Sequence, residues 1–331
     1  MKRTLFRILA FPLPTRSMRN YVRRLGGPRV VPPTKRITDI LRATIDISAV
    51  SPAHGFLRYI QQANLQLLGA FDTFARKNAI EYFMIGGAIA GLIRYGKCVP
   101  WDDDTDVGMT AENYEKFLIA ARKILPNDEY DLMLTSNVFR IVHKKTRAFL
   151  DILRYGVHST PNCYTDAGAN QIAYAQQQYN RVVQNKTFLK FYVTNKMSRT
   201  EISDIYAHIY AQHRDATKIQ TELFSYIPGY DKTVVPIHTD GKPFEFYSFD
   251  TIFPVVRKRF DGRELYFPSD PELYATKCWG DIWQFPDDIF RTHEYTHDQS
   301  PRRLINLREY LKRDAKSIYD GFAPGQKDET K

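Results

Sequence analysis

The sequence predicts an α/β fold in which strands are flanked by helices. Residues 56–78 place apolar side chains on one broad side at helical spacing, which predicts a buried helix. The apolar run Tyr82–Ile85 is typical of a first core strand, because it ends at a glycine pair. Three further runs rich in β-branched and aromatic residues predict more strands: Tyr130–Leu134, Val138–His143 and Arg147–Leu153.

The glycine pair Gly86-Gly87 precedes a short helical pattern, Ala88–Tyr95, which Gly96 closes. Glycine lets backbone N–H groups approach an anion closely, and the amino terminus of a helix favours negative charge. The pair therefore predicts a phosphate-binding turn. Further along, Thr110 can cap a helix that runs to about Leu125.

Four aspartates follow within five residues, in the run Trp101–Asp106. Alternate side chains of a strand share a face, so we expect Asp102, Asp104 and Asp106 to lie together. A divalent cation would relieve their repulsion, and oxygen ligands without Cys or His favour Mg²⁺ or Mn²⁺ over zinc. Because Mg²⁺ leaves positions open for phosphates, the pattern indicates phosphoryl or nucleotidyl transfer. The alternative is a solvated acidic turn.

These ordered motifs resemble the LicD family, which includes fukutin-related proteins, within the nucleotidyltransferase-like superfamily. The resemblance rests on Gly86-Gly87, Arg94-Tyr95-Gly96 and Val99–Asp106, and it covers about 56–155 and 244–286. The chain departs from the family pattern at a few positions: Ala88, Tyr95, Lys97-Cys98, and Trp279 in Trp279-Gly280-Asp281. None of these departures removes an expected metal ligand.

The resemblance implies a nucleotidyltransferase-like core, with a small mixed sheet flanked by helices. It implies transfer of a substituted phosphate, such as phosphocholine or an alditol phosphate, from a CDP-linked donor. A hydroxyl of a glycan or lipid-linked glycan would accept it, and CMP would leave. Asp104 and Asp106 would hold Mg²⁺ or Mn²⁺, with Asp102 behind them. Gly86-Gly87 would bind phosphate, and Arg94 would be its charge partner.

Asp151 is a charged residue inside the apolar run Phe149–Leu153. Burying a carboxylate is costly unless it is paired, hydrogen-bonded or bound to a metal. An ion pair with Arg147 or Arg154 is one explanation. The family's Asp-Ile-hydrophobic motif also falls on this residue, which implies a third carboxylate that binds the metal or accepts the proton of the attacking hydroxyl.

Other segments carry weaker signals. Residues 156–233 predict a helical insertion, with a helix near Glu201–Phe224, where acceptor specificity could lie. The run His293-Glu294-Tyr295-Thr296-His297 matches H-E-x-x-H, the zinc-protease pattern, but its flanks lack an apolar stripe. A last helix is predicted at about Arg302–Tyr319. A binding protein that has this fold without catalysis is a further alternative.

The net charge of +10 lies entirely in residues 1–42, which hold eleven basic side chains and one acidic one. We therefore divide the chain into a basic amphipathic arm (1–42), a catalytic domain (43–290) and a carboxyl-terminal helix and tail (291–331). Residues 1–30 suit an anionic membrane surface, although a presequence or a disordered tail has similar composition. Nucleic acid is not an expected partner. Three distant cysteines and no membrane-spanning run favour a cytoplasmic, peripheral protein.

Overall fold

The computed structural model describes residues 33–134, 138–160, 165–183, 191–224, 231–236, 246–286, 289 and 298–325. Our predictions for the arm 1–30 and for the motif at 293–297 lie outside these residues. Two compact units are present: the described parts of 1–47 with 284–291, and of 48–283 with 292–331. In the first unit, helix α1 (Pro33–Thr44) is joined to Phe285, whose carbonyl accepts a hydrogen bond of 2.6 Å from Arg42 Nε.

The second unit combines helices and strands. A single 3₁₀ turn, Ile47–Ala49, leads into it. Its helices are α2 (Gly55–Lys77), α3 (Gly87–Tyr95), α4 (Ala111–Ala121), α5 (Asp166–Val183), α6 (Arg199–Phe224), α7 (Phe249–Ile252), α8 (Pro271–Trp279), α9 (Pro301–Leu311) and α10 (Ala315–Phe322). Its strands are β1 (Phe83–Met84), β2 (Asp106–Thr110), β3 (Tyr130–Leu134), β4 (Val138–His143), β5 (Phe149–Thr160), β6 (Phe191–Val193), β7 (Asp231–Pro236), β8 (Tyr247–Ser248), β9 (Val256–Phe260) and β10 (Arg263–Phe267).

Eight of these strands form one mixed sheet, which confirms the predicted α/β fold class. The order is β1-β2-β5-β4-β3-β6, with β7 pairing to β5 and β8. Strands β2 and β5 run parallel, whereas β4 runs antiparallel to β5. Strands β9 and β10 make a separate antiparallel hairpin. The long central strand β5 therefore meets both β2, which begins at the last of the four aspartates, and β4.

Helix α2 is the central helix of the core. Most of its apolar side is buried, as the helical spacing predicted, including Ile60, Leu67, Phe71 and Phe74. The helix ends at Asn78, whose side chain donates a 2.8 Å hydrogen bond to the Phe74 carbonyl. Helices α9 and α10 pack against it. It thus lies between the carboxyl-terminal helices and the sheet.

Two segments differ from the prediction. The segment 156–233 is not a purely helical insertion, because β6 joins β3, and β7 pairs with the second half of β5. Strand β6 has only three residues and so shows no clear alternation, and β7 is defined by its pairing with β5. The helix expected over Arg302–Tyr319 is two helices, α9 and α10, because the Asp314 side chain accepts a 2.7 Å bond from Ser317 N and starts a new helix there.

None of the helices in the described ranges is both long enough and apolar enough to cross a lipid bilayer.

Candidate active site

The glycine pair lies directly against two carboxylates. Gly86 is the N-cap of α3 and has φ +61°, a conformation that glycine adopts at little cost. A Cβ added to Gly86 would lie 2.9 Å from Asp106 Oδ2, and one added to Gly87 would overlap Asp102 Oδ2. Larger residues would therefore displace the carboxylates from the turn. The predicted helix is confirmed, and it ends at Gly96 in the left-handed conformation.

The acidic run is a loop rather than a strand. Only Asp106 lies in β2, so the strand alternation that we expected for Asp102 and Asp104 is wrong. The loop nevertheless brings the three carboxylates together. Burial raises the pKa of Asp102 well above its usual range, and the charge and hydrogen bond of Asp104 and the charge of Asp106 raise it further. Asp103 is buried, with 2% of its surface exposed.

Two amide side chains of α2 hold this loop. Gln61 Nε2 donates to the carbonyl oxygens of Val99 and Asp102, at 2.9 and 2.8 Å. Asn64 Nδ2 donates to the Asp103 carbonyl at 2.9 Å, and Asn64 Oδ1 accepts from Phe149 N at 3.0 Å. The sequence analysis predicts this helix from its apolar side and singles out neither residue. The sequence feature that could have identified them is that both are polar residues on the otherwise apolar side of α2.

A second anchor comes from the hairpin turn between β9 and β10. Arg58 and Asp261 form a two-bonded ion pair, with both N–O distances at 2.7 Å. The backbone N–H of Asp261 donates to the Gly96 carbonyl at 2.9 Å. Burial would raise the pKa of Asp261, but the hydrogen bond and charge of Arg58 outweigh it and lower the pKa. The pair therefore connects residues 244–286, the second stretch that resembles the family, to the loop that precedes the aspartates.

Asp151 lies opposite Asp106, because the parallel register pairs these residues across β5 and β2. Its N–H donates to the Thr105 carbonyl at 3.0 Å. Both oxygens of its carboxylate accept hydrogen bonds from Arg140 on the antiparallel neighbour β4. Arg147, one of the two arginines considered as a partner for Asp151, instead donates to the Tyr192 hydroxyl.

Arg140 is a residue that the sequence analysis did not single out. It lies in a predicted strand and faces Asp151 in the cross-strand register. Its guanidinium also stacks on the Phe149 ring, 4.4 Å from the ring centre. The strand itself was predicted, but the pairing was not, because register is set by the tertiary structure.

Arg94 lies away from the glycine pair. It is in the last turn of α3, seven positions after Gly87, which is roughly 10 Å along the helix axis. Burial lowers its pKa, while the charges of Tyr95 and Asp281 act in the opposite direction. Its assignment as a charge partner for phosphate stays a prediction.

The carboxylate oxygens beside the glycine pair are ligands of the kind that bind Mg²⁺. Within the described residues, no three His, Cys, Asp or Glu side chains are grouped so as to hold a metal on their own. Mg²⁺ usually takes only one or two carboxylates and completes its shell with water and phosphates. Burial raises the pKa of Asp102 most, and the neighbouring carboxylates, whose repulsion such a cation would relieve, raise it further. Asp104 and Asp106 therefore suit Mg²⁺ or Mn²⁺, and substrate oxygens would fill the remaining coordination positions of the ion.

The glycine turn and the adjacent aspartates lie within a stretch that is similar to a known nucleotidyltransferase domain. Residues 79–183 match the family model described as "LicD/FKTN/FKRP, nucleotidyltransferase domain". Over these residues the chain is similar to the LicD family, as its motifs predicted. A stretch of 62 residues is 37% identical to the lipopolysaccharide cholinephosphotransferase LicD of Haemophilus influenzae. That match covers 19% of this chain and 23% of the relative, so it spans under a quarter of the relative's length.

Proposed function

We propose that this protein is a metal-dependent transferase that moves a substituted phosphate from a CDP-linked donor to a hydroxyl of a glycan. The observation that carries the proposal is the contact of Asp102 and Asp106 with the glycine turn of a LicD-family domain. The name of the relative, a lipopolysaccharide cholinephosphotransferase, supports phosphocholine as the transferred group. Alditol phosphates are the other donor class that we propose.

The residues of the site would bind the donor phosphate and the metal. The N–H groups at Gly86-Gly87 would bind a donor phosphate at the amino end of α3. Asp104 and Asp106 would hold the metal, with Asp102 beside them. When bound, Mg²⁺ or Mn²⁺ would neutralise charge on the donor phosphates and so stabilise the transition state.

Asp151 would act as the base that accepts the proton of the acceptor hydroxyl. A bond forms between the acceptor hydroxyl oxygen and the phosphorus of the transferred group, and the bond from that phosphorus to the CMP oxygen breaks. The hydroxyl proton moves to the Asp151 carboxylate, and CMP leaves with the bonding electrons. Arg140 fixes the orientation of this carboxylate through two hydrogen bonds, so one of them must loosen as the proton arrives.

A panel of donors would test the proposal. The protein would be incubated with CDP-choline, CDP-ribitol or CDP-glycerol, Mg²⁺ and a glycan acceptor, and CMP release would be measured. We expect one donor to give acceptor-dependent CMP that Asp104→Asn abolishes. Absence of CMP with all three donors, in both Mg²⁺ and Mn²⁺, would contradict the proposal.

One observation favours a second function, that of a binding protein without catalysis. Both carboxylate oxygens of Asp151 are engaged by Arg140, which is also what a purely structural ion pair would show. Donor binding without CMP release in the same assay would support this alternative. The zinc-protease alternative, through His293, Glu294 and His297, concerns residues outside the described ranges.

The membrane is the partner that we propose for the arm. All of the excess positive charge lies in residues 1–42, and segment 1–30 mixes basic with apolar side chains. Such segments bind anionic lipid surfaces peripherally. The proposed role of the arm is to bring the catalytic domain to a lipid-linked glycan acceptor on the cytoplasmic face.

A further inference from the structure

A basic cavity of about 270 Å³ lies between the β4–β5 turn and the amino end of α9. Five of the side chains that line it are basic and one is acidic: Lys144, Lys145, Arg147, Arg302, Arg303 and Asp298. None of the aspartates at the glycine pair lines it. It is therefore a separate feature from the candidate metal site.

The walls of this basic cavity are held in place by neutral groups. Arg303 is buried, with 3% of its surface exposed, and it donates to the carbonyl oxygens of Thr146 and Asp298 at 2.9 and 3.0 Å. Asn306 Nδ2 donates to the Lys145 carbonyl at 3.1 Å. Carbonyl oxygens orient a guanidinium without cancelling its charge, so these bonds fix the walls and leave the cavity positive.

Negative charge on the walls is small by comparison. Lys144 shares its charge with Asp131, whose carboxylate is 3.5 Å away. The Asp298 carboxylate accepts a 3.1 Å bond from Ser300 N, and the hydrogen bonds of Ser300 lower its pKa, followed by the charges of Arg303 and Arg147. Asp298 is thus a single ionised acid among five bases. An oxyanion in the cavity would offset their repulsion, and charge-assisted hydrogen bonds would strengthen its binding.

The basic cavity lies at the start of β5, close to the proposed base. Arg147 is four residues before Asp151, so their Cα atoms are at most about 14 Å apart. Asn64 links the first residue of β5 to the acidic loop, and the charge of Asp103 acts on Arg303. One extended ligand could therefore reach both places.

We propose that the basic cavity is an oxyanion site that holds a phosphate or carboxylate group of the acceptor. The oxyanion part rests on the cavity alone, and the acceptor part rests on the proposed function. The donor phosphates have their own site at Gly86-Gly87. The acceptor, in contrast, must place its hydroxyl at Asp151, and the cavity lies along the strand that carries this residue.

The oxyanion part can be tested without any transfer reaction. Binding of inorganic pyrophosphate would be measured by calorimetry in EDTA, which removes metal from the acidic loop. Lys145→Gln with Arg302→Gln changes two exposed side chains, and we expect at least a tenfold weaker binding. The matched control, Arg122→Gln with Lys123→Gln, removes two exposed charges elsewhere and should leave binding unchanged. No binding to the wild type, or equal weakening in the control, would overturn the proposal.

The acceptor part requires a transfer assay with two acceptors, a phosphorylated oligosaccharide and its unphosphorylated counterpart. In Lys145→Gln with Arg302→Gln, we expect KM for the phosphorylated acceptor to rise at least tenfold. KM for the CDP-linked donor, and kcat, should stay unchanged. A rise in the donor KM instead would assign the cavity to the donor and overturn the acceptor part. If no donor supports transfer, the proposed function fails while the pyrophosphate result still decides the oxyanion site.

Discussion

Asp106 and Asp151 face each other across two parallel strands, at the first residue of β2 and the third residue of β5. One of them contacts the glycine turn, and the other is held by Arg140 from the opposite neighbouring strand. The pair of strands thus presents one carboxylate to the proposed donor side and one to the proposed acceptor side.

The first prediction concerns the metal ligands. Asp104→Asn or Asp106→Asn should lower transfer at least ~100-fold, because removing a ligand charge weakens a site that contributes several kcal/mol to the transition state. Rates would be measured with subsaturating Mg²⁺, and circular dichroism would check the fold. Near-native turnover in either variant would rule out the metal assignment.

The second prediction concerns the proposed base. Asp151→Asn should be nearly inactive yet bind the CDP-linked donor better than Asp104→Asn does, since a base acts on the acceptor. Equilibrium binding of the donor in Mg²⁺ would compare the two variants. If both lose the same donor affinity, Asp151 belongs to the metal site.

The third prediction concerns the hydrogen bonds that join α2 to the acidic loop and to β5. Asn64→Leu removes two buried hydrogen bonds and leaves the Asp103 carbonyl and the Phe149 N–H without that partner. We expect the free energy of unfolding to fall by about 1–3 kcal/mol per group left unsatisfied. Chemical denaturation would measure it. Gln62→Leu, two residues away and only half buried, is the control and should change stability much less.

The fourth prediction is a pH dependence at the carboxyl-terminal helices. The contact with His143, whose Nε2 lies 3.8 Å from the Glu129 carboxylate, lowers the pKa of Glu129 to about 2. Burial opposes this change, and the hydrogen bonds from Arg313 add to it. A depressed carboxylate pKa contributes stability above the unfolded value of about 4.3, and this contribution disappears as pH falls toward 2. In Glu129→Gln, the free energy of unfolding should therefore fall less steeply with decreasing pH below about pH 5.

The control for this pH prediction is Glu112→Gln, which alters an exposed i,i+4 pair with Lys116. Its profile of stability against pH should stay close to that of the wild type. An unchanged profile in Glu129→Gln would show that this ion pair does not set the acid sensitivity.

The fifth prediction concerns the arm. Deleting 1–30 should release the protein from anionic vesicles, because each basic residue near such a surface contributes roughly 1 kcal/mol. Transfer to a membrane-bound acceptor should slow, and transfer to a soluble fragment should not. Co-sedimentation at low and high salt would measure binding, since salt screens the attraction. Equal sedimentation of the full-length and truncated proteins would exclude a membrane role.

The sequence predicted the local elements of the site better than their arrangement. The glycine turn, the short helix to Gly96 and the strands Tyr130–Leu134 and Val138–His143 carry local signals, and the structure has them where expected. The acidic run was assigned to a strand because alternation was the only local rule available. Its real conformation depends on hydrogen bonds from Gln61, about 40 residues upstream.

The ion pairs at the site were the least predictable features. Asp151 carried a clear signal as a charge in an apolar run, but its partner Arg140 is defined by the register between β4 and β5. The same is true of Arg58 and Asp261, which are 203 residues apart in the sequence. Composition and periodicity do not record such pairs, because they arise only when the sheet and the hairpin are assembled.

The anchoring of the acidic loop also bears on how small an active piece of this protein can be. The family match begins at residue 79 and ends at 183, yet the amides that fix the loop come from α2 and the Asp261 anchor comes from the β9–β10 hairpin. A fragment limited to the matched residues would contain every proposed metal ligand and none of these supports. The smallest competent unit must therefore begin before α2 and extend past the hairpin, and the recognisable motif is only the inner part of it.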